Sequence, residues 1–206
     1  MNTKELTKEI HENAVAHGWW DGERDFGEIA ALIHSELSEA LEEYRSGKPN
    51  VYFVCKDGFG ACDAEDGAEK ACYGKVLADA IGGTCKNREG KPEGIATELA
   101  DAVIRILDYF GKIGYSFAAE LNAIDPALEE DRAADYRSFG DFIANCHGDV
   151  SAAYDDLNGE RNMYLEDCVI RIAIYCKENG IGLEGVIRTK HEYNKSRPYR
   201  HGGKKC

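Results

Sequence analysis

The sequence predicts an all-α fold, a helical bundle built from two related helical units. Several long segments place apolar residues three or four positions apart, the spacing that gathers them on one face of a helix. A pair of these segments recurs later in the chain in the same order, as expected for an internal repeat. In contrast, the glycine-rich stretch 50–94 has little periodicity, and we interpret it as an irregular insertion in the first unit.

We expect the two units to form one compact domain, because 206 residues suffice for one large domain or two small lobes. Residues 1–124 would form the first unit, which includes the insertion and carries the chemistry. Residues 125–206 would form the second unit, which is degenerate, and a basic C-terminal tail.

The acidic composition limits the partners of the chain. A formal net charge of −13 would repel nucleic-acid backbones and anionic membranes, so we expect neither as a partner. No run approaches the roughly 20 apolar residues of a membrane span, and Met1–Leu6 lacks the apolar core of a signal peptide. Eight cysteines without a secretion signal predict free thiols in a reducing cytoplasm, and those between 55 and 85 lack the Cys-x-x-Cys spacing of a zinc site.

The first predicted helix runs from Thr3 to Ala16 and ends at Gly18, a residue type that often terminates helices. Trp19 and Trp20 follow in a short connector. Two interpretations of this pair stay open: both rings belong to the core, or one ring is buried while the other faces a ligand.

The second predicted helix follows an Asp25 cap, has Glu28 in its first turn and stops near Gly47. Its core-facing arc gathers Ile29, Leu32, Ile33, Leu37, Ala40 and Tyr44. Glu36 falls inside this arc, and Glu39 lies at its edge. A buried carboxylate needs a cation, and a divalent metal is the obvious one. The alternative is that these acids lie on a solvated face.

A second pair of acids opens the helix predicted from Ile95 to Ile113. Glu98 and Asp101 are three positions apart and so lie on one side of this helix. The apolar stripe beside them comprises Ile95, Leu99, Ala102, Val103, Ile106 and Phe110. Alone, this pair of acids would be typical of a solvated face. Two such helices packed side by side would present four oxygen ligands suited to magnesium.

Shorter elements complete the expected secondary structure. We predict a strand at Val51–Val54 and short helices at Lys75–Ile81 and Ser116–Leu121. The acidic run Asp125–Asp135 is typical of a solvated connector. Gly185–Tyr193 again has the pattern of a helix.

The repeat is defined by matching residues at constant offsets. Residues 26–28 match 139–141, and residues 101–106 match 167–172. The four acids and their counterparts are Glu36 and Asp149, Asp101 and Asp167, Glu39 and Ala152, and Glu98 and Tyr164. Because the second unit keeps only two of the acids, we expect one working site per chain.

The C-terminal tail brings many cations into a very acidic chain. The residues that we expect to reach phosphate oxygens are Lys190, Asn194, Lys195 and Arg197. Arginine binds such oxygens bidentately, and lysine acts as a point charge. The alternative is a solvated basic tail.

The acid pairs, the repeat and the tail together resemble the MazG-like group of all-α nucleoside triphosphate pyrophosphohydrolases, which is allied to the dimeric dUTPases. The family pattern is Glu-x-x-Glu followed by Glu-x-x-Asp, and it is matched by Glu36-Leu37-Ser38-Glu39 and Glu98-Leu99-Ala100-Asp101. The flanking run 33–42 and the tail 193–204 resemble the same group. Two features depart from it: residues 40–97 make a longer linker between the pairs, and the tail follows the degenerate unit.

The resemblance implies that a nucleotide or deoxynucleotide triphosphate is hydrolysed between its α and β phosphates. The products would be a monophosphate and pyrophosphate, in the house-cleaning of nucleotide pools. The ligands of two or three Mg²⁺ ions, or of Mn²⁺ in their place, would be Glu36, Glu39, Glu98 and Asp101. Glu39 would also act as the general base. A homodimer is implied as well, although an internal repeat can form the paired bundle within one chain.

Recognition of the nucleotide would involve the aromatic connector and the tail. Trp19 or Trp20 would stack on the base, and His17 or His34 would hydrogen-bond its edge. His34 has a second interpretation as a core histidine, because its position recurs as His147 in the degenerate unit. The cationic tail would stabilise the charge that develops on phosphate.

Rival functions belong to other classes. A catalytically silent module that senses a nucleotide or a metal is disfavoured, because the first unit retains all four acids. A di-iron bundle needs Glu-x-x-His pairs, and a P-loop NTPase needs Gly-Lys followed by Ser or Thr. The sequence contains neither pattern.

Overall fold

A computed structural model describes residues 3–54, 91–117, 119–124 and 136–203, which fold as the predicted all-α bundle. The helices are α1 (Thr3–Ala16), α2 (Phe26–Arg45), α3 (Ile95–Ile113), α4 (Phe139–Asp155), α5 (Arg161–Glu178) and α6 (Leu183–Lys195), followed by one helical turn, Arg200–Gly203. A 3₁₀ turn spans Leu121–Ala123, and β1 (Tyr52–Val54) pairs antiparallel with β2 (Lys91–Glu93). Within these ranges, no helix is both long and apolar enough to cross a membrane.

Side-chain caps begin the first long helix of each unit. The Asp25 carboxylate accepts a hydrogen bond from the Glu28 backbone N–H at 2.8 Å, as the sequence predicted. The Ser138 hydroxyl likewise accepts one from the Asp141 backbone N–H at 3.1 Å. These bonds satisfy amides that the start of a helix leaves without an intrahelical partner. At its other end, α3 stops at Gly114 in the left-handed conformation.

The helix α3 forms the centre of the bundle and contacts α1, α2, α5 and α6. Its predicted apolar stripe is confirmed, since Leu99, Val103, Ile106 and Phe110 have no exposed surface. Removing this apolar surface from water is the main driving force for the packing. The second unit lies against the first through α2 and α4, and α4 in turn packs along α5.

The contacts within the two units correspond. Equivalent pairs are Phe26–Tyr109 and Phe139–Tyr175, and Glu36–Arg105 and Asp149–Arg171. His34 and His147, which occupy the same position in the two units, meet with their Nδ1 atoms 2.7 Å apart. This correspondence supports the internal repeat, which stays a prediction.

The long linker leaves and re-enters the bundle at one place, where β1 and β2 pair. Gly94 has a φ of 114°, and a Cβ there would lie 2.6 Å from the Pro49 carbonyl oxygen. The backbone N–H groups of Ile95 and Ala96 donate to the Pro49 and Asn50 carbonyls at 3.3 and 2.8 Å. The first turn of α3 is thus tied to the end of α2, whatever the length of the insertion.

Two local predictions are wrong. Of the helix expected at 116–121, residues 116, 117, 119 and 120 are not helical, because the chain turns at Gly114. Phe117 is buried from an irregular segment, and Leu121 is buried from the 3₁₀ turn. Tyr44 is 49% exposed, since it stacks on Phe139 at the rim of the core instead of entering it. The expected strand at 51–54 is confirmed as β1. The helix expected at 75–81, the cysteines between 55 and 85 and the connector 125–135 lie outside the described residues.

Candidate functional site

Three carboxylates meet where α2 packs on α3. Glu36, Glu98 and Asp101 each offer one oxygen, and these oxygens lie within 4.8 Å of one another. Glu36 is 8% exposed and Glu98 is 3% exposed, so the solvated-face alternative is wrong for both. Glu36 is buried because it shares the core-facing arc of α2, and the spacing of three positions brings Asp101 beside Glu98.

The chain supplies its own cations to this cluster. Arg105 donates from Nε and Nη2 to Glu36 Oε1, at 3.1 and 2.9 Å. Lys190 Nζ lies 2.8 Å from Asp101 Oδ2 and 3.8 Å from Glu98 Oε1. It also donates to the Pro92 carbonyl at 3.2 Å, and the residue is only 2% exposed. Lys190, which we expected to reach phosphate, is therefore paired with the acids.

Burial shapes the protonation of the cluster. Burial, opposed by Lys190 and aided by Asp101 and Glu36, raises the pKa of Glu98 to about 8. Burial and the Asp101 charge also raise the pKa of Glu36, against the effect of Arg105. Burial lowers the pKa of Lys190, but Asp101 and Glu98 outweigh it and the pKa lies above its usual value. A divalent cation that binds Glu98 at neutral pH has to displace a proton.

Glu39, the fourth acid of the motif, stands apart from the other three. It is exposed and lines the same cavity, where its carboxylate accepts a hydrogen bond from the Ser35 hydroxyl at 3.3 Å. Its position leaves it open to water and to a ligand. Its predicted roles as a metal ligand and as a general base stay predictions.

A cavity of about 300 Å³ adjoins the cluster, bounded by α1, α2, α3 and α6. Its volume lies at the lower end of the range for small-molecule sites. Apolar side chains form part of the wall, namely Ile10, Ala14, Leu32 and Ile104. The cavity thus combines charged groups with an apolar surface, as a nucleotide requires.

The two tryptophans of the connector have different surroundings. Trp20 packs against the hydrophobic core and donates its indole N–H to Asp108 Oδ1 at 2.9 Å. Trp19 lines the cavity, and Trp20 does not. Trp20 thus packs on the core and Trp19 borders the cavity, while the contact of Trp19 with a ligand stays a prediction.

The two histidines that we expected to hydrogen-bond the edge of the base contact other groups of the protein instead. His17 lines the cavity, but its Nδ1 and Nε2 atoms contact the carbonyl oxygens of Asn13 and Arg197, at 2.8 and 3.0 Å. His34 lies outside the cavity wall, stacked on His147 with ring centroids 5.0 Å apart. Burial lowers the pKa of both stacked histidines. His34 therefore fits its second interpretation, as a histidine packed between the units.

Of the remaining tail residues expected to bind phosphate, two line the cavity and one does not. Asn194 and Arg197 line the cavity, and Asn194 Oδ1 is buried without a hydrogen-bond partner among the described residues. Lys195 is exposed and pairs with Glu192 at 2.6 Å, away from the cavity wall. Lys195 therefore agrees with the alternative interpretation, a solvated basic tail.

Among the cavity residues that the sequence reasoning missed are Arg105, Asp108 and His191. Arg105 and Asp108 lie on the polar side of α3 that includes Asp101, and this shared side was the available signal. His191 is 3% exposed, and its Nε2 has no hydrogen-bond partner in the described part of the chain. No local pattern distinguishes it, since its burial depends on the packing of α6.

The chain matches no protein-family model, no curated protein and no solved structure. The resemblance to the MazG-like group therefore rests on the sequence motifs. The class of chemistry has to be argued from the residues of the cavity.

Proposed function

We propose that this protein is a magnesium-dependent nucleoside triphosphate pyrophosphohydrolase, which releases a nucleoside monophosphate and pyrophosphate. The observation that carries the proposal is the cluster of three carboxylate oxygens in the wall of a nucleotide-sized cavity. Two buried polar atoms without partners, His191 Nε2 and Asn194 Oδ1, belong to residues that line the same cavity. Such atoms are costly unless a ligand satisfies them.

The donor set fits Mg²⁺ or Mn²⁺. Both ions prefer hard oxygen ligands, and Glu36, Glu98 and Asp101 offer three within reach of one ion. Five carboxylates line the cavity, and four of them belong to the acid motif. Arg105 and Lys190 balance two of these four, Glu36 and Asp101. One divalent ion would neutralise the other two carboxylates of the motif in the nucleotide-free protein. The resemblance implies more ions, two or three.

The residues around the cluster would have distinct tasks. A bound Mg²⁺ supplies charge neutralisation for the triphosphate and lowers the pKa of a bound water. Glu39, which faces the open side, would accept the proton of the attacking water. Arg197, which lines the cavity, would offset negative charge on the phosphates. Trp19 would cover one face of the base.

A panel of nucleoside and deoxynucleoside triphosphates with Mg²⁺ tests this proposal, with monophosphate and pyrophosphate measured separately. We expect both products from the wild type and from the matched control Glu178→Ala, whose exposed carboxylate ends α5. Glu98→Ala should yield neither product. Release of orthophosphate instead, or no turnover of any nucleotide, would overturn the proposal.

The second candidate is a catalytically silent module that senses a nucleotide or a metal. Lys190 favours it, because this buried ammonium already satisfies the acids without a metal ion. In that case, calorimetry would record nucleotide binding by the wild type, loss of binding in Glu98→Ala, and no product in either protein.

A further inference from the structure

Asp108 is a carboxylate of the cavity wall that the proposed chemistry does not use. It lies seven residues after Asp101 on α3, about 10 Å along the helix axis. This separation suits a nucleotide whose phosphates bind the acid cluster and whose base extends along α3. We infer that Asp108 selects nucleotides whose base carries an amino group, an inference that rests on the proposed function and defines its substrate class.

The hydrogen bonds of Asp108 leave one of its oxygens available. Oδ1 accepts from His11 Nδ1 at 2.7 Å and from the Trp20 indole at 2.9 Å. Both donors converge on this single oxygen. Oδ2 has no hydrogen-bond partner among the described residues, and the side chain borders the cavity. The two donors hold the carboxylate in one orientation, so the position of the available oxygen is set before a ligand arrives.

His17 cannot replace Asp108 at the base edge without losing contacts of its own. Both ring nitrogens of His17 already contact backbone carbonyls. Trp19 presents an aromatic face, which stacks on any base and does not distinguish one from another. Asn194 Oδ1, buried without a partner among the described residues, is a second acceptor in the cavity wall, so a variant at Asp108 is needed to separate the two.

A carboxylate oxygen only accepts hydrogen bonds. The amino groups of cytosine, adenine and guanine donate, so each of these bases can satisfy Asp108. Uracil and thymine carry a carbonyl oxygen where cytosine carries its amino group, and two acceptors facing each other repel. A site built to hydrogen-bond a group of the substrate rejects an analogue without it, because the buried partner stays unpaired.

Calorimetry with CMP and UMP in the presence of Mg²⁺ tests the inference. The two monophosphates have the same ring size and differ at the group that Asp108 would read. We expect the wild type to bind CMP about 10- to 100-fold more tightly than UMP, the range of a hydrogen bond to a charged group.

Asp108→Asn should remove this preference or reverse it. The amide oxygen can keep the bonds to His11 and Trp20, which turns the amide N–H₂ toward the cavity as a donor for the uracil carbonyl. Asp155→Asn is the matched control, because Asp155 is exposed at the end of α4, and it should keep the wild-type ratio.

The outcomes separate the inference from the proposed function. Equal affinity of the wild type for CMP and UMP, or no binding of either, would overturn the inference. An unchanged ratio of the two affinities in a folded Asp108→Asn would overturn it as well. If that variant does not fold, the ratio measured for the wild type decides the test. A preference for CMP without release of pyrophosphate from any nucleotide of the panel would support the inference and overturn the hydrolase.

Discussion

At the scale of single residues, the acid cluster is balanced by charges within the chain. Arg105 pairs with Glu36 and Lys190 with Asp101, so these acids are not buried without a cation. An uncompensated buried ion costs several kcal/mol, which explains how the cluster persists in a folded protein. The same pairs would compete with a metal ion for the carboxylates.

Lys190→Met should lower the free energy of unfolding of the metal-free protein by about 3–5 kcal/mol, because Asp101 loses its cation. Mg²⁺ should restore more stability in this variant than in the wild type, since the ion takes the place of the ammonium. Lys195→Met is the control, because the exposed Lys195–Glu192 pair contributes within about 0.5 kcal/mol. Urea unfolding with and without Mg²⁺ measures the loss of stability and its recovery. Equal stability of the two variants without Mg²⁺ would contradict the prediction.

The affinity for Mg²⁺ should rise with pH. The pKa of Glu98 is about 8, so below this pH a proton occupies the carboxylate and competes with the ion. Affinity should increase by up to about tenfold per pH unit toward pH 8 and level off above it. Calorimetry in buffers of different ionisation enthalpy should detect proton release at neutral pH. Glu98→Gln should bind Mg²⁺ weakly and release no proton. If this variant released as many protons as the wild type, the proton would come from another group.

At the scale of secondary-structure elements, the pairing of β1 with β2 keeps α2 and α3 together despite the insertion. The start of α3 donates its backbone N–H groups to the chain that leaves α2, and Glu98 lies in that first turn. The contact therefore sets how Glu98 faces Glu36. Only a residue without a Cβ fits at position 94, where the chain crosses the Pro49 carbonyl, because a Cβ would collide with that oxygen and the φ of Gly94 is positive.

Gly94→Ala should lower the free energy of unfolding by about 1–3 kcal/mol, the cost of a strained backbone residue. The affinity for Mg²⁺ should fall as well, because α3 shifts against α2. Gly22→Ala is the matched control, since a Cβ there meets no atom within 4 Å and no positive φ is required. Thermal unfolding and a Mg²⁺ titration of both variants are the measurements, and indistinguishable variants would refute the role of the crossing.

At the scale of the whole molecule, the C-terminal helix α6 completes the cavity that α1, α2 and α3 begin. The helix α6 follows the degenerate unit, yet Lys190, His191 and Asn194 line the cavity of their own chain. The homodimer that the resemblance implies stays a prediction, and the cavity contains the acids and the tail without it.

Under the proposed function, the rate of pyrophosphate release per chain should not change on dilution. All the residues to which we assign a role come from one chain, so dissociation of an oligomer would leave the site intact. Light scattering after size exclusion measures the oligomeric state, and the specific activity is compared over the same concentrations. A loss of activity in parallel with dissociation would show that a second chain contributes to the site.

The helices were the most predictable feature. The bounds of α1 and α3 agree with the sequence prediction, because apolar spacing and the glycines at helix ends act within a few residues of the chain. The irregular segment after Gly114 was not predictable in this way. Phe117 and Leu121 have apolar spacing typical of a short helix, and only the surface available for their burial determines their path.

The sequence by itself determined that the bundle is helical and that Glu36, Glu98 and Asp101 lie on two of its helices. That these two helices face each other was decided by the tertiary structure. The tertiary structure decided which cations meet them, namely Arg105 one turn further along α3 and Lys190 from a distant helix. It also decided that Trp19 faces the cavity while Trp20 enters the core. Helical periodicity is a local property of the backbone, whereas a contact between distant side chains depends on how the helices are oriented and packed.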